Sequence, residues 1–147
     1  MKTNFLKPFV GIVILLGIIS CKVEPRAIEY GKDQCDFCLM NIVDKTHATQ
    51  YVTKKGKQFK FDAIECMINN LGDKNEGDIA ILLVTDFRKP GVMMDAKTAS
   101  YLISEEIKSP MGANLSASTL EKIKELQQKH TGEIFTWETI KEQMSDK

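Results

Sequence analysis

Three sulfur-bearing side chains lie within six residues of one another in the segment Cys35-Asp36-Phe37-Cys38-Leu39-Met40. Thiolates and thioethers are soft donors, and soft donors select copper(I) over most other metal ions that proteins bind. Zinc sites use cysteine, histidine and carboxylate groups, so the methionine argues against zinc. The spacing therefore predicts a copper(I) site with Cys35, Cys38 and Met40 as candidate ligands, and exchangeable sulfur ligands would allow the ion to pass to a partner.

Met111 is a fourth candidate ligand, because the segment Ser109-Pro110-Met111-Gly112 predicts a tight turn. A large apolar side chain fixed in a turn often marks an exposed contact, although packing is an equal alternative here. Cys66 lies in the apolar stripe of a predicted helix, which favours core packing over a role as a third thiol at the site. His47 and His130 lie at the ends of predicted elements, which favours contact with solvent or a helix dipole over metal binding.

Residues 1–20 have the pattern of a secretory signal peptide. Lys2 and Lys7 form a basic start, and the apolar run from Phe9 to Ile19 has eleven residues, too few to span a bilayer. The segment Ile18-Ile19-Ser20-Cys21 resembles a bacterial lipobox, which implies cleavage before Cys21 and acylation of its thiol. An ordinary signal peptide cut near Ser20 is the alternative.

A lipid on Cys21 would hold the mature chain on a bacterial cell membrane, facing the periplasm or the exterior. Residues 22–29 are polar and aperiodic, so we expect residues 21–29 to be the lipidated cysteine and a tether. Residues 30–147 would then form the folded domain.

The cysteine count favours a free or metal-bound thiol. If Cys21 carries lipid, the remaining thiols are Cys35, Cys38 and Cys66, an odd number for an oxidising compartment. Two alternatives stay open. One is a metal-free binding domain in which Cys35 and Cys38 form a structural disulfide. The other is a thiol–disulfide redox lipoprotein, but such a pair should open a helix, whereas residues 39–43 favour a strand.

The charge pattern excludes a nucleic-acid-binding protein. Without residues 1–20 the chain has 18 basic and 20 acidic side chains, a net charge of about −2. The one basic run, Lys54-Lys55-Gly56-Lys57, predicts a solvated hairpin tip. No catalytic triad, carboxylate pair or phosphate-binding loop has a convincing context, so the sequence predicts a binding protein and not an enzyme.

The first half of the domain predicts a β-β-α-β unit. Residues 47–53 and 57–61 alternate apolar and polar side chains around Lys55-Gly56, which predicts a hairpin. Asp62 is the expected N-cap of a helix over residues 63–71, and Gly72 follows its end. The apolar run at residues 79–84 predicts a buried strand.

The second half repeats this plan loosely. Residues 97–104 predict a strand, and residues 109–112 a turn or strand end. Ser118 is the expected N-cap of a helix that stops before Gly132, with Glu121 as its capping-box partner. Residues 133–136 predict a closing strand and residues 137–144 a terminal helix. We therefore expect a single α+β domain of two small β-β-α-β-like halves.

The order of four motifs resembles the NosL family. These motifs are Ile28-Glu29-Tyr30-Gly31, the run from Cys35 to Asp44, Phe61-Asp62 before a helix containing Cys66, and Ser109-Pro110-Met111-Gly112. The resemblance implies a pair of β-β-α-β modules in a bacterial lipoprotein that acts as a copper(I) chaperone. It also implies Cys35, Cys38, Met40 and Met111 as copper ligands, and it matches no histidine.

The same resemblance implies a partner. Members of the family serve the assembly of the copper sites of nitrous oxide reductase, so the expected partners are that apoenzyme and its assembly factors, although another extracytoplasmic copper enzyme is an alternative client. A homodimer stays open, because a second copy could complete the site.

Overall fold

The computed structural model describes residues 23–72 and 74–145. The predicted signal peptide at residues 1–20 and the predicted lipidation at Cys21 lie outside the described residues. In chain order the elements are β1 (Thr49–Thr53), β2 (Gln58–Phe61), α1 (Ile64–Leu71), β3 (Ile79–Thr85), β4 (Met93–Asp95), β5 (Ser100–Ile103), β6 (Leu115–Ser118), α2 (Leu120–Lys129), β7 (Glu133–Phe135) and α3 (Trp137–Ser145). Within this part of the chain, no helix is both long enough and apolar enough to cross a membrane.

The first sheet has the strand order β2-β1-β3-β4, with every pair antiparallel. The hairpin of β1 and β2, the helix α1 and the strand β3 form the predicted β-β-α-β unit. Strand β4 was not predicted: it has only three residues and pairs with the end of β3.

The second sheet has the strand order β6-β5-β7, again antiparallel. The predicted turn at residues 109–112 is present, and the second strand of this half begins three residues after it, at Leu115. With α2 and β7 it completes a second β-β-α-β unit, so the predicted α+β fold is confirmed.

Both predicted helix caps were wrong by one residue. Helix α1 begins after Ala63, whose side chain has no polar group that could cap the helix. The Asp62 carboxylate does not cap it either, because it accepts a hydrogen bond from the Cys38 thiol. Helix α2 is capped by Thr119, whose side chain accepts a hydrogen bond from the backbone N–H of Lys122. Ser118 instead ends β6 and donates a hydrogen bond of 2.6 Å to the Asp86 carboxylate.

One apolar core joins the two halves. It contains Tyr51, Phe61 and Met67 from the first half, and Tyr101, Trp137 and Ile140 from the second. Helix α1 lies at its centre and contacts β1, β2, β6 and α3. A smaller cluster of Leu102, Ile107, Ile123 and Leu126 lies beneath α2.

The described part of the predicted tether lies along β2. The Gln58 side chain donates to the carbonyl of Glu24 at 2.9 Å and accepts from the backbone N–H of Arg26 at 3.2 Å. Lys60 Nζ donates to the carbonyl of Ala27 at 2.7 Å. Ile28 then enters the core. The chain leading towards Cys21 is therefore held against the edge of the first sheet.

Candidate metal site

A tight turn presents the two cysteines of the C-x-x-C motif. The backbone N–H of Cys35 donates to the carbonyl of Met40 at 2.8 Å, and the N–H of Leu39 donates to the carbonyl of Cys35 at 3.0 Å. Leu39 has a φ of 66°, the left-handed conformation, which reverses the chain. We call residues 35–40 the sulfur turn.

The strand predicted over residues 39–43 is therefore wrong, since only a single bridge between Gln34 and Asn41 forms there. The alignment of Cys38 with Met40 that a strand would give does not apply. The pair does not open a helix either, so the helix dipole that lowers a thiol pKa in thioredoxin-like motifs is missing from this turn.

Hydrogen bonds fix the sulfur turn against the first sheet. The backbone N–H of Asp36 donates to the carbonyl of Lys60 at 2.8 Å, and the backbone N–H of Lys60 donates to the Asp36 carboxylate at 2.7 Å. The Lys60 ammonium also pairs with Asp33 at 2.6 Å. A turn held at both its backbone and its side chains presents its cysteines in a preorganised geometry.

The sulfur turn meets the start of α1 in a cluster of four potential ligands. One ligand atom each from Cys35, Cys38, Asp62 and Cys66 lies within 4.8 Å of the others. Cys35, Cys66 and Asp62 are 0%, 1% and 2% exposed, whereas Cys38 is half-buried. All three cysteines are free thiols. We call these four residues the thiol cluster, and Cys38 is its member nearest to solvent.

Sequence reasoning missed Asp62 as a member of this cluster. Its carboxylate accepts hydrogen bonds from the Cys38 thiol at 3.5 and 3.6 Å instead of capping α1. The available signal was position: Asp62 lies two residues before the first residue of the helix that carries Cys66, so both residues lie near the N-terminal end of that helix.

Cys66 has both of the roles that the sequence set against each other. Packing was favoured because Cys66 lies in an apolar stripe, but a stripe identifies the buried face only when the other face meets water. Six of the eight residues of α1 are buried, because this helix lies between the two sheets. Cys66 thus packs in the core and also presents its sulfur to the cluster.

The surroundings of Cys38 and Cys66 raise the pKa of both thiols and so favour their protonated forms. Burial raises the pKa of the Cys66 thiol, and the nearby Asp62 carboxylate and Cys35 raise it further. Burial also raises the pKa of Cys38, and the Asp62 and Cys35 side chains again disfavour the thiolate. A soft cation would replace these protons and supply the positive charge that the thiolates lack.

The two candidate methionine ligands are at the surface. Met40 is 46% exposed and Met111 is 42% exposed. The Met111 turn is attached to α1: the Ser109 hydroxyl and the backbone N–H of Ala113 donate to Glu65 Oε1 at 2.8 and 3.2 Å. Met40 is two residues from Cys38 in the chain, and the Met111 turn is bonded to Glu65, the residue before Cys66.

Neither histidine belongs to the thiol cluster. His47 is 3% exposed, so the predicted contact with solvent was wrong. Its Nδ1 lies 2.9 Å from the Asp44 carboxylate, and the pKa of Asp44 is lowered by hydrogen bonds from Thr46 and His47 that outweigh its burial. His130 is the C-cap residue of α2, and its Nδ1 lies 3.1 Å from the Glu106 carboxylate.

The chain that holds this cluster is similar to known proteins in both sequence and fold. A family model described as NosL matches residues 26–145. Among solved structures, the chain is similar to the crystal structure of the copper chaperone NosL from Shewanella denitrificans, with a TM-score of 0.67 and 18% sequence identity. The match covers 79% of this chain and 94% of that one. A search of curated proteins found no significant match.

Proposed function

Because the chain belongs to the NosL family, we propose that it is a copper(I) chaperone anchored to a bacterial cell membrane. The observation that carries the proposal is the thiol cluster, in which three sulfur donors converge within 4.8 Å in a site that is nearly dry. Three soft donors match the preference of copper(I). In this proposal copper is cargo, and the protein transfers it without acting as an enzyme.

The cluster and the two methionines would divide the work between holding and exchanging the ion. Cys35 and Cys66 are buried and provide a fixed floor, while Cys38 is half-buried and able to meet an incoming ligand. Met40 and Met111 are exposed thioethers, and in this proposal they would form a weak outer site for entry and exit. Copper would leave when a partner's ligands replace Met40, Met111 and then Cys38.

The proposed client is an apo copper enzyme, in the first instance nitrous oxide reductase with its assembly factors. The family membership supports this partner, and lipidation of Cys21 would place the exchange on the extracytoplasmic side of the membrane. Exposed apolar side chains on the sulfur turn, Phe37 at 46% and Leu39 at 71%, provide contact surface beside the ion.

A competition titration tests copper binding. The reduced form that begins at Lys22 is titrated anaerobically with copper(I) against a chromophoric chelator, and the complex is weighed by native mass spectrometry. We expect one copper per chain, and we expect Cys38→Ser to weaken binding by on the order of a hundredfold. Met40→Leu and Met111→Leu should each weaken it less, since thioethers contribute less than thiolates.

The same titration distinguishes the proposed copper site from a zinc site and from a metal-free domain with a disulfide. Full affinity in all three variants would contradict the proposed ligand set. A cluster that prefers zinc to copper(I) would favour a structural zinc site, which the Asp62 carboxylate could complete. A Cys35–Cys38 disulfide that resists mild reductant, with no metal bound, would favour the stapled binding domain.

A further inference from the structure

A basic hollow lies at the tip of the β1–β2 hairpin, far along the strands from the thiol cluster. Its volume is about 570 Å³, and it is lined by four lysines: Lys54, Lys55, Lys57 and Lys74. Its apolar surface comes from Tyr51, Phe59 and Ile79. The ammonium of Lys57 lies 4.6 Å from the centre of the Phe59 ring, so its alkyl stem covers the ring while its charge stays at the rim.

The charge of this hollow is not neutralised within the described residues. Asp78 is the only carboxylate among its lining residues, which leaves a net charge of about +3. None of the four lysines forms an ion pair with a described carboxylate, whereas Lys60 and Lys141 do so at 2.6 Å. In a chain with as many acidic as basic side chains, this is a local concentration of positive charge.

At its N-terminal end the described chain leads towards the hairpin tip, which carries this hollow. Ala27 is bound beside Lys60, and both Arg26 and Glu24 are bound beside Gln58. Going backwards from residue 27 to residue 24, the chain therefore runs along β2 in the direction of Lys57 and the hairpin tip. The lipidation position, Cys21, is three residues before Glu24, which the chain can span in about 10 Å.

We propose that the basic hollow is a docking surface for the headgroups of anionic phospholipids in the membrane that carries the anchor. Lysines near an anionic surface attract it, and aromatic rings favour the boundary between headgroups and acyl chains. A lipid chain combined with a basic patch also binds a membrane more firmly than one acyl signal alone. The orientation rests on the anchoring at Cys21 in the proposed function, but it does not depend on copper binding.

This contact would set the direction in which the thiol cluster faces. Lys57 and Asp62 flank opposite ends of β2, and the four residues of this strand separate them by roughly 16 Å. With the hairpin tip on the headgroups, the cluster would face away from the bilayer. A client in the aqueous compartment could then reach Cys38 and the methionines without displacing the domain from the membrane.

The test is co-sedimentation of the form that begins at Lys22 with lipid vesicles, without copper. One set of vesicles contains phosphatidylcholine alone and the other contains phosphatidylcholine with phosphatidylglycerol. We expect binding only to the second set, and a steep loss of binding as salt is added. The triple variant Lys54→Gln, Lys55→Gln, Lys57→Gln should bind about a hundredfold more weakly, since each lysine at the surface contributes about fivefold.

The matched control removes three exposed lysines from the second half, with Lys108→Gln, Lys124→Gln and Lys129→Gln. This control has the same net charge as the first variant, so an effect of net charge alone would be equal in both. Because its three lysines do not line the hollow, it should keep its vesicle binding. An equal loss in both variants, or no binding to either kind of vesicle, would overturn the proposal. Strong competition by inorganic phosphate would also overturn it, in favour of a site for a free anion.

A second readout uses the lipidated protein in phosphatidylglycerol vesicles. An amine-reactive label should modify Lys124 and Lys129 readily, and should modify Lys55 and Lys57 several-fold more slowly than in detergent. Equal labelling of both pairs would contradict the orientation. Copper titration of the triple-glutamine variant should give the wild-type affinity, so failure of the membrane surface and failure of the copper site are distinguishable.

Discussion

The two halves of this domain share one topology and differ in what they carry. In each half the first strand is central, the second strand pairs on one side of it, and the strand after the helix pairs on the other. The first half holds every described cysteine, while the second half holds none. The repeated β-β-α-β unit therefore forms the scaffold, and the segments attached to it determine the chemistry.

The helices of the two halves have different surroundings. Helix α1 buries six of its eight residues between the sheets, whereas α2 buries only Ile123 and Leu126, and its other residues are exposed or half-buried. A ligand on α1 is thus held from several sides and kept dry. The same side chain on α2 would need to lie on one narrow stripe to be held as firmly.

The connections between the first two strands also differ. In the first half this connection is the short turn at residues 54–57, which carries lysines and points away from the cluster. In the second half it is the long segment at residues 104–114, which carries Met111 and returns to Glu65 on α1. One topological position thus provides a basic tip in one half and, in the other, a turn that carries Met111 and is bonded to α1.

The strongest loss of copper binding should distinguish two neighbouring sulfur residues on α1, Cys66 and Met67. We expect Cys66→Ser to weaken copper(I) binding by on the order of a hundredfold or more, because it removes a buried thiol from the cluster. The control is Met67→Leu, a buried sulfur outside the cluster in the same helix. It should cost about 1 kcal/mol of unfolding free energy or less and leave the affinity unchanged.

Chelator competition measures both affinities, and urea unfolding measures both stabilities. If Cys66→Ser kept the wild-type affinity, the buried thiol would be packing alone. The first half would then bind copper through the sulfur turn without α1.

The second expected effect is a pH dependence that arises only in the first half. The raised thiol pKa values of Cys38 and Cys66 mean that copper must displace protons, so the affinity should rise about tenfold per pH unit for each proton released. Competition titrations from about pH 6 to about pH 8 measure this slope. A flat profile would show that the cluster is already ionised.

The same thiols give the metal-free protein an opposite trend in stability. A thiol whose pKa is raised by folding stabilises the protein fully below its unfolded pKa of about 8.5 and loses this contribution as the pH rises above it. At about pH 9 the burial of Cys66 alone should cost about 1 kcal/mol. Cys66→Ala should remove this loss of unfolding free energy. Urea unfolding at about pH 9 and at a pH below the unfolded pKa of about 8.5 would measure the difference.

A further prediction compares the two inter-strand connections. Ser109 is buried, donates to Glu65 and accepts from the backbone N–H of Asn114 at 2.9 Å. Ser109→Ala should therefore cost about 1–3 kcal/mol of unfolding free energy, because it leaves buried polar groups without partners. Thr53 accepts a similar bond from Lys57 at the exposed tip, and Thr53→Ala should cost about 0.5 kcal/mol.

Thermal or urea unfolding measures these two costs. Equal costs would show that the Met111 turn is no more firmly held than the lysine turn. In that case a role for Met111 beside the thiols would lose its structural support.

Local patterns predicted most of this fold, because strand alternation and apolar periodicity report directly on burial. Such patterns predicted the β1–β2 hairpin, the three helices, and the strands β3, β5 and β7. They did not predict strand β4, since three residues are too few to show alternation. The motif spacing suggested copper, and the family resemblance then supported this expectation.

The site itself was only partly predictable. Cys35 and Cys38 are neighbours in the chain, so their convergence could be expected, whereas Cys66 and Asp62 join them through tertiary packing of α1 against the sulfur turn. A residue such as Asp62 has two uses at a helix start, and only the position of Cys38 decides between them. Long-range contacts of this kind are not written in local periodicity.

The most direct test of the central claim is X-ray absorption at the copper K-edge on the copper(I)-loaded protein, with wild type and Cys66→Ser compared. We expect the wild-type copper to be bound directly by sulfur, including the Cys35, Cys38 and Cys66 thiolates, and we expect one sulfur ligand fewer in the variant. Copper bound mainly by nitrogen or oxygen, or the same sulfur count in both proteins, would contradict this claim.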